Sequence, residues 1–190
     1  MKFKILTAAL AATVMALSAV TASADSFYDS EETYESIFQA SYANGPIDLK
    51  DEITLYKQPT NSSCAATCAG MCIGVSPESL RNAGFNIDYA DWYAIGSKYG
   101  YSVEWLGRSD LSGKNSLKVV YEYLKAGYPV CAWINQTNPH WVTIYKYTGN
   151  GTTFNASDFW CADPANSLPD YHRLDNSSYY AGVYNTVVFK

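Results

Sequence analysis

The chain has 190 residues, is 48% hydrophobic and carries a formal net charge of −5, with 18 acidic against 13 basic residues. That is the composition of a globular domain, and its negative field disfavours nucleic acid and anionic membranes as partners. Five cysteines are too few for a disulfide-dense scaffold in a chain this long.

The chain opens with Lys2 and Lys4, continues through the uncharged run "ILTAALAATVMALSAV", and reaches the small residues Ala22, Ser23 and Ala24. That layout predicts a secretory signal peptide over 1–24, cleaved after Ala24, because the run is too short and alanine-rich for a stable span. The remainder is then exported, to the outside of a bacterial cell or its envelope, and is long enough for one domain over 51–190. Residues 25–50, acidic and interrupted by "ANGP", read as a leader, a pro-segment or a linker. "ITLYKQ" (53–58) alternates as a short strand. "CAATCAGMCIG" (64–74) is small, apolar and unbroken until Gly70, which predicts a buried helix.

Ser76, Pro77 and Glu78 start a second helix in "SPESLRNAG". "YADWYAIGSKYG" and "SLKVVYEYLKAG" predict two more, the latter closed by Gly127. From there the texture turns to β-branched and aromatic residues in "YPVCAWI", "HWVTIYKYT", "TTFNASDFWCADP" and "GVYNTVVF". "TGNG" (148–151) reads as a tight hairpin turn. Helices first and an antiparallel sheet second predict an α+β fold, with a site in the cleft between its halves.

Cys64, Cys68 and Cys72 repeat every four residues. On a helix such positions form one stripe drifting by about 40° per step, and cannot surround a tetrahedral ion by themselves. No CxxC pair or HExxH motif supplies further ligands, so a metal site is not expected. Cysteines four apart on a helix are also poorly placed for a disulfide. Cys131 and Cys161 lie in predicted strands and could pair there, or serve with Cys68 and Cys72 as small buried apolar residues. An odd count still leaves at least one thiol unpaired within the chain. Cys64 stands apart, because it follows "NSS", where Asn61, Ser62 or Ser63 can cap. In the first helical turn, free N–H groups and the helix dipole stabilise a thiolate, the reactive form of cysteine.

A thiol nucleophile needs a base, an orienting group and oxyanion donors. The chain has two histidines. His140 begins a predicted strand, whereas His172 lies in the polar, loop-like "PDYHRL", so His140 is the better-held base. Asp163 precedes Pro164, which extends the backbone before it, and is the candidate orienter, although a turn aspartate before proline is commonplace. Gln58, six residues before Cys64, could donate its side-chain amide to an oxyanion beside the Cys64 N–H.

This ordered set resembles the papain-like cysteine peptidases, and more closely the bacteriocin-processing (double-glycine leader) peptidases of family C thirty-nine and their secreted relatives. The matching stretches are "YKQPTNSSCAATCAGM", "LKAGYPVCAWINQTNPHWVTIYKYTGNG" and "WCADPAN", and Cys68 four after the nucleophile is typical of the group. The resemblance implies Cys64 as nucleophile, His140 as general base and then acid, Asp163 as orienter and Gln58 as oxyanion donor. It implies peptide-bond hydrolysis through an acyl-enzyme, with no cofactor. Ala65 departs from the glycine often found after the nucleophile. An export signal without a transporter segment also argues against leader processing.

Two other readings keep the same residues. In one the acyl group passes to an amine, giving an acyltransferase or cross-linking enzyme. In the other the set is idle and the fold serves as a secreted binding module. The expected partner is a peptide or protein substrate, with no nucleic acid, no membrane after signal cleavage, and a monomeric state. Trp141 and Trp160, beside the motif residues, are candidates to line subsites.

Overall fold

A computed structural model describes residues 45–190. The expected signal peptide and most of the expected leader lie outside the described residues. The last part of the leader does not hang free: β1 (Ile47–Asp48) pairs with β4 (His140–Tyr147), and Lys146 binds Asp48 at 2.7 Å.

The first long helix, α1 (Cys64–Ile73), forms where the sequence is free of β-branched runs, and it stops at Gly74, whose φ of 70° suits a residue without Cβ. Ser63 occupies the N-cap position, but its hydroxyl turns back to the Thr60 carbonyl at 2.9 Å and does not cap the helix. The next helix, α2 (Pro77–Asn82), is capped by the Ser76 side chain, and α3 (Trp92–Tyr99) by that of Asp91. Asn115 accepts from Leu117 and Lys118 to start α5 (Ser116–Lys125), after the short α4 (Arg108–Leu111).

The sheet is antiparallel throughout and runs β2-β7-β3-β4-β5-β6, with β1 added at the end of β4. Its other strands are β2 (Val103–Leu106), β3 (Val130–Asn135), β5 (Phe159–Ala162), β6 (Tyr171–Arg173) and β7 (Asn185–Phe189). Both faces are covered. Ala66, Cys68, Ala69, Leu80 and Ile95 from α1–α3 pack on Cys131, Val187 and Phe189. On the opposite face Val120, Tyr121 and Leu124 of α5 meet Val130, Ala132, Val142, Ile144 and Val188. Alternate residues of β3 therefore serve opposite faces, which is why "YPVCAWI" reads as a continuous apolar run. A fully buried side chain such as Leu80 or Leu124 contributes roughly 1.5–3 kcal/mol.

The α+β order holds, with four corrections. Helix α5 lies across the sheet from α1–α3, and β2 falls among the helices to form one sheet edge. "ITLYKQ" is not a strand; Ile53, Leu55 and Tyr56 instead pack with Met71, Tyr145 and Ala162. "TGNG" does not close a tight hairpin either. The β4–β5 connection spans 148–158, ends in a 3-10 turn at Ala156–Asp158, and wraps the Tyr147 hydroxyl, which accepts from the Gly151 N–H at 2.9 Å.

Candidate active site

Antiparallel pairing of β4 and β5 sets Thr143 opposite Ala162, so the start of β4 and the end of β5 share one end of the sheet. His140 is the first residue of β4 and Asp163 the first after β5. The His140 Nε2–H donates to Asp163 Oδ1 at 2.9 Å, with His140 only 5% and Asp163 0% exposed. The same carboxylate oxygen accepts from the Ala165 N–H at 2.9 Å. Burial works against the Asp163 charge, but the bonds from His140, His172 and the Ala165 N–H hold its carboxyl down at about 2. Burial likewise works against a charged His140; the Asp163 carboxylate and the neighbouring Cys64 thiol outweigh it and raise the imidazole to about 9.

Helix α1 packs on β4 and β3. Its first residue, Cys64, shares a cavity lining with Pro139 and Trp141, the residues on either side of His140, and neighbours the His140 ring. Cys64 is 7% exposed. Gln58 is tied to the loop after Asp163: its N–H donates to the Pro164 carbonyl at 2.8 Å, and its carbonyl accepts from Asn166 Nδ2 at 2.9 Å. The side-chain oxygen of Gln58 is buried without a hydrogen-bond partner. Lys57 Nζ strengthens the tie by donating to the carbonyls of Asp163, Ala165 and Leu168, at 3.1, 2.9 and 3.2 Å.

Two cavities of about 390 Å³ each flank this arrangement and share Asn61 and Pro139. One is polar, lined by Gln58, His140, Asn166 and Tyr179 among others. The other is aromatic, lined by Cys64, Ala65, Trp92, Trp105 and Trp141 among others. Trp160 does not join them; it packs against the group around Ile53 and Tyr145.

The other cysteines are all free thiols. Cys68 and Cys131 are completely buried, and burial pushes both thiols up. Cys72 Sγ lies 3.5 Å from Cys131 Sγ, so the near pair links α1 to β3 and not β3 to β5. Among the described residues no cluster of three or more His, Cys, Asp and Glu side chains could hold a metal ion.

His172 departs from the sequence expectation. It is not in a polar loop but on β6, opposite Cys161, buried, with Nε2 3.2 Å from Asp163 Oδ2. The alternation of half-buried Tyr171, buried His172 and exposed Arg173 was the available signal, over too few residues to stand out.

Helices ahead of a multi-stranded antiparallel sheet, with a buried His–Asp pair at its end, match a cysteine-peptidase-like architecture in general. The chain belongs to the Peptidase_C39 like family, whose model matches residues 50–189. Membership supports a peptidase role at the level of the family. No curated protein matches the chain, and no helix among the described residues is long and apolar enough to cross a membrane.

Proposed function

We propose that the protein is an exported cysteine peptidase in which Cys64 attacks the peptide carbonyl and His140, Asp163 and Gln58 complete the machinery. The observation that carries this reading is the buried His140–Asp163 pair, whose imidazolium form is favoured by both the carboxylate and the Cys64 thiol. With Nε2 committed to Asp163, Nδ1 is the ring atom left to face Cys64.

The thiolate of Cys64 adds to the scissile carbonyl, and the Gln58 amide with the Cys64 N–H receives the oxyanion. As the C–N bond breaks, His140 gives its proton to the leaving amine, and the acyl group remains on sulfur as a thioester. Neutral His140 then takes a proton from water, whose oxygen attacks the thioester; the C–S bond breaks, the acid leaves, and the thiolate–imidazolium pair is restored. The aromatic cavity beside Cys64 and the polar cavity beside His140 would take substrate side chains on opposite sides of the scissile bond.

Hydrolysis of a peptide library, read by mass spectrometry with and without an added amine, tests the proposal. It expects new carboxyl termini from the parent protein and none from Cys64→Ala. Cleavage that survives Cys64→Ala would overturn the assignment. Amine-capped products in place of free acids would move the activity to acyl transfer.

A further inference from the structure

Asp163 serves two histidines. Its Oδ1 accepts from His140 Nε2 at 2.9 Å, and its Oδ2 faces His172 Nε2 at 3.2 Å. The other ring nitrogen of His172 faces the Arg173 carbonyl at 2.8 Å. Each ring nitrogen thus faces an oxygen that only accepts, a carboxylate and a carbonyl, and bonding both at once takes a proton on each nitrogen. The Cys161 thiol is more distant, at 3.7 Å from Nδ1, and lies 3.6 Å from the His172 carbonyl. An imidazolium satisfies both oxygens, and at 7% exposure its charge would be compensated by Asp163 and not by water.

We infer that His172 is a positioning residue of the site: as a fixed cation it anchors the second oxygen of Asp163, aims the first at His140, and limits how tightly His140 holds its proton. The inference rests on the proposed roles of Cys64 and His140.

The carboxylate is wholly buried, and its three donors are His140, His172 and the Ala165 N–H. Without His172, Oδ2 loses its charged donor, and the whole negative charge is left for His140 to balance. The His140 imidazolium would then be stabilised further, and the neutral form that must take a proton from water would become scarcer. The directions agree: Asp163 raises His172, and each imidazolium opposes the other. The remaining groups facing the cluster are the Cys64 and Cys68 thiols from α1, the Cys161 thiol of β5 at 3.7 Å from His172 Nδ1, and the Tyr179 ring at 4.4 Å from His140. Lys57 reaches Asp163 only at its backbone carbonyl and pairs its charge with Asp170 at 3.1 Å, and Arg173 turns to Asp175.

His140 and His172 are the only histidines in the chain, so nitrogen-15 NMR of the imidazoles reads them directly in the full protein. The inference expects His172 with both ring nitrogens protonated at neutral pH. In His172→Gln, which keeps a donor but not the charge, it expects the His140 titration to move to higher pH by on the order of one unit. Turnover in the same variant should fall about tenfold with KM little changed, while His172→Leu, which loses donor and charge together, should fall further. A singly protonated His172 at neutral pH, or a His140 titration unmoved in His172→Gln, would overturn the inference. If the imidazoles behave as described but the parent protein cleaves no peptide, the coupling of His172 to His140 through Asp163 stands and the peptidase reading fails.

Discussion

Asp163 and His140 tie the proposed chemistry to stability. The fold lowers the Asp163 carboxyl from 3.8 to about 2, so its stabilising contribution is present above the ordinary carboxylate value and is lost as pH falls through about 2. The fold raises His140 from 6.5 to about 9, so that contribution is complete below the ordinary imidazole value and is lost as pH rises through about 9. Asp163→Asn should therefore cost on the order of 2 kcal/mol in urea unfolding at pH 6. The gap from the parent should narrow as pH is taken below 4. A gap independent of pH would mean that the ionised carboxylate is not what stabilises the fold. Gln58 makes a separate prediction: Gln58→Ala should lower kcat by about 10²–10³-fold with KM little changed, because an oxyanion donor acts chiefly in the transition state. Steady-state kinetics on a cleaved peptide checks it. Cys64, His140 and Asp163 stand out in the sequence because each sits at or beside an element boundary that limits where its side chain can go, and Gln58 only by its spacing from Cys64. Of this set the structure joins His140 and Asp163 by a hydrogen bond. His172 does not stand out. Its contact with Asp163 crosses the β5–β6 hairpin, and nothing local distinguishes a buried strand histidine from an exposed loop one.

Among the elements, those with strong local signals were legible. Helices α1, α2, α3 and α5 announce themselves through apolar spacing, capping side chains or a terminal glycine, and β3, β4, β5 and β7 through β-branched and aromatic runs. The misses are short or depend on tertiary pairing. Strand β2 is four half-buried residues at a sheet edge, and β1 is two residues long. "TGNG" carries turn chemistry, but the Tyr147 hydroxyl holds it inside a longer loop. Helix α1 is the element on which the site most depends, and Gly70 is its tightest point. A Cβ there would run into the Val75 carbonyl, where the chain turns back from the helix end. Gly70→Ala should destabilise the protein by roughly 1–3 kcal/mol, since a backbone carbonyl cannot move aside as a flexible side chain would. Urea denaturation measures this, and an unchanged midpoint would show that the turn yields without cost.

At the scale of the molecule, one antiparallel sheet covered on both faces brings parts far apart in sequence to a common end: the start of α1, the start of β4 and the end of β5. Its class was legible because helical and strand texture separate along the chain, while the second face was not, since α5 reads like any other amphipathic helix. The arrangement makes the thiols inequivalent. Cys64 alone combines a helix N-terminus, a histidine neighbour and a cavity, whereas Cys68, Cys131 and Cys161 are sealed in the core. The most direct test is to label the full protein with a thiol-directed peptidyl electrophile and locate the adduct by mass spectrometry. The account predicts one adduct, on Cys64, strongly reduced in His140→Ala. Adducts spread over Cys68 or Cys72, or Cys64 labelling undiminished in His140→Ala, would contradict it.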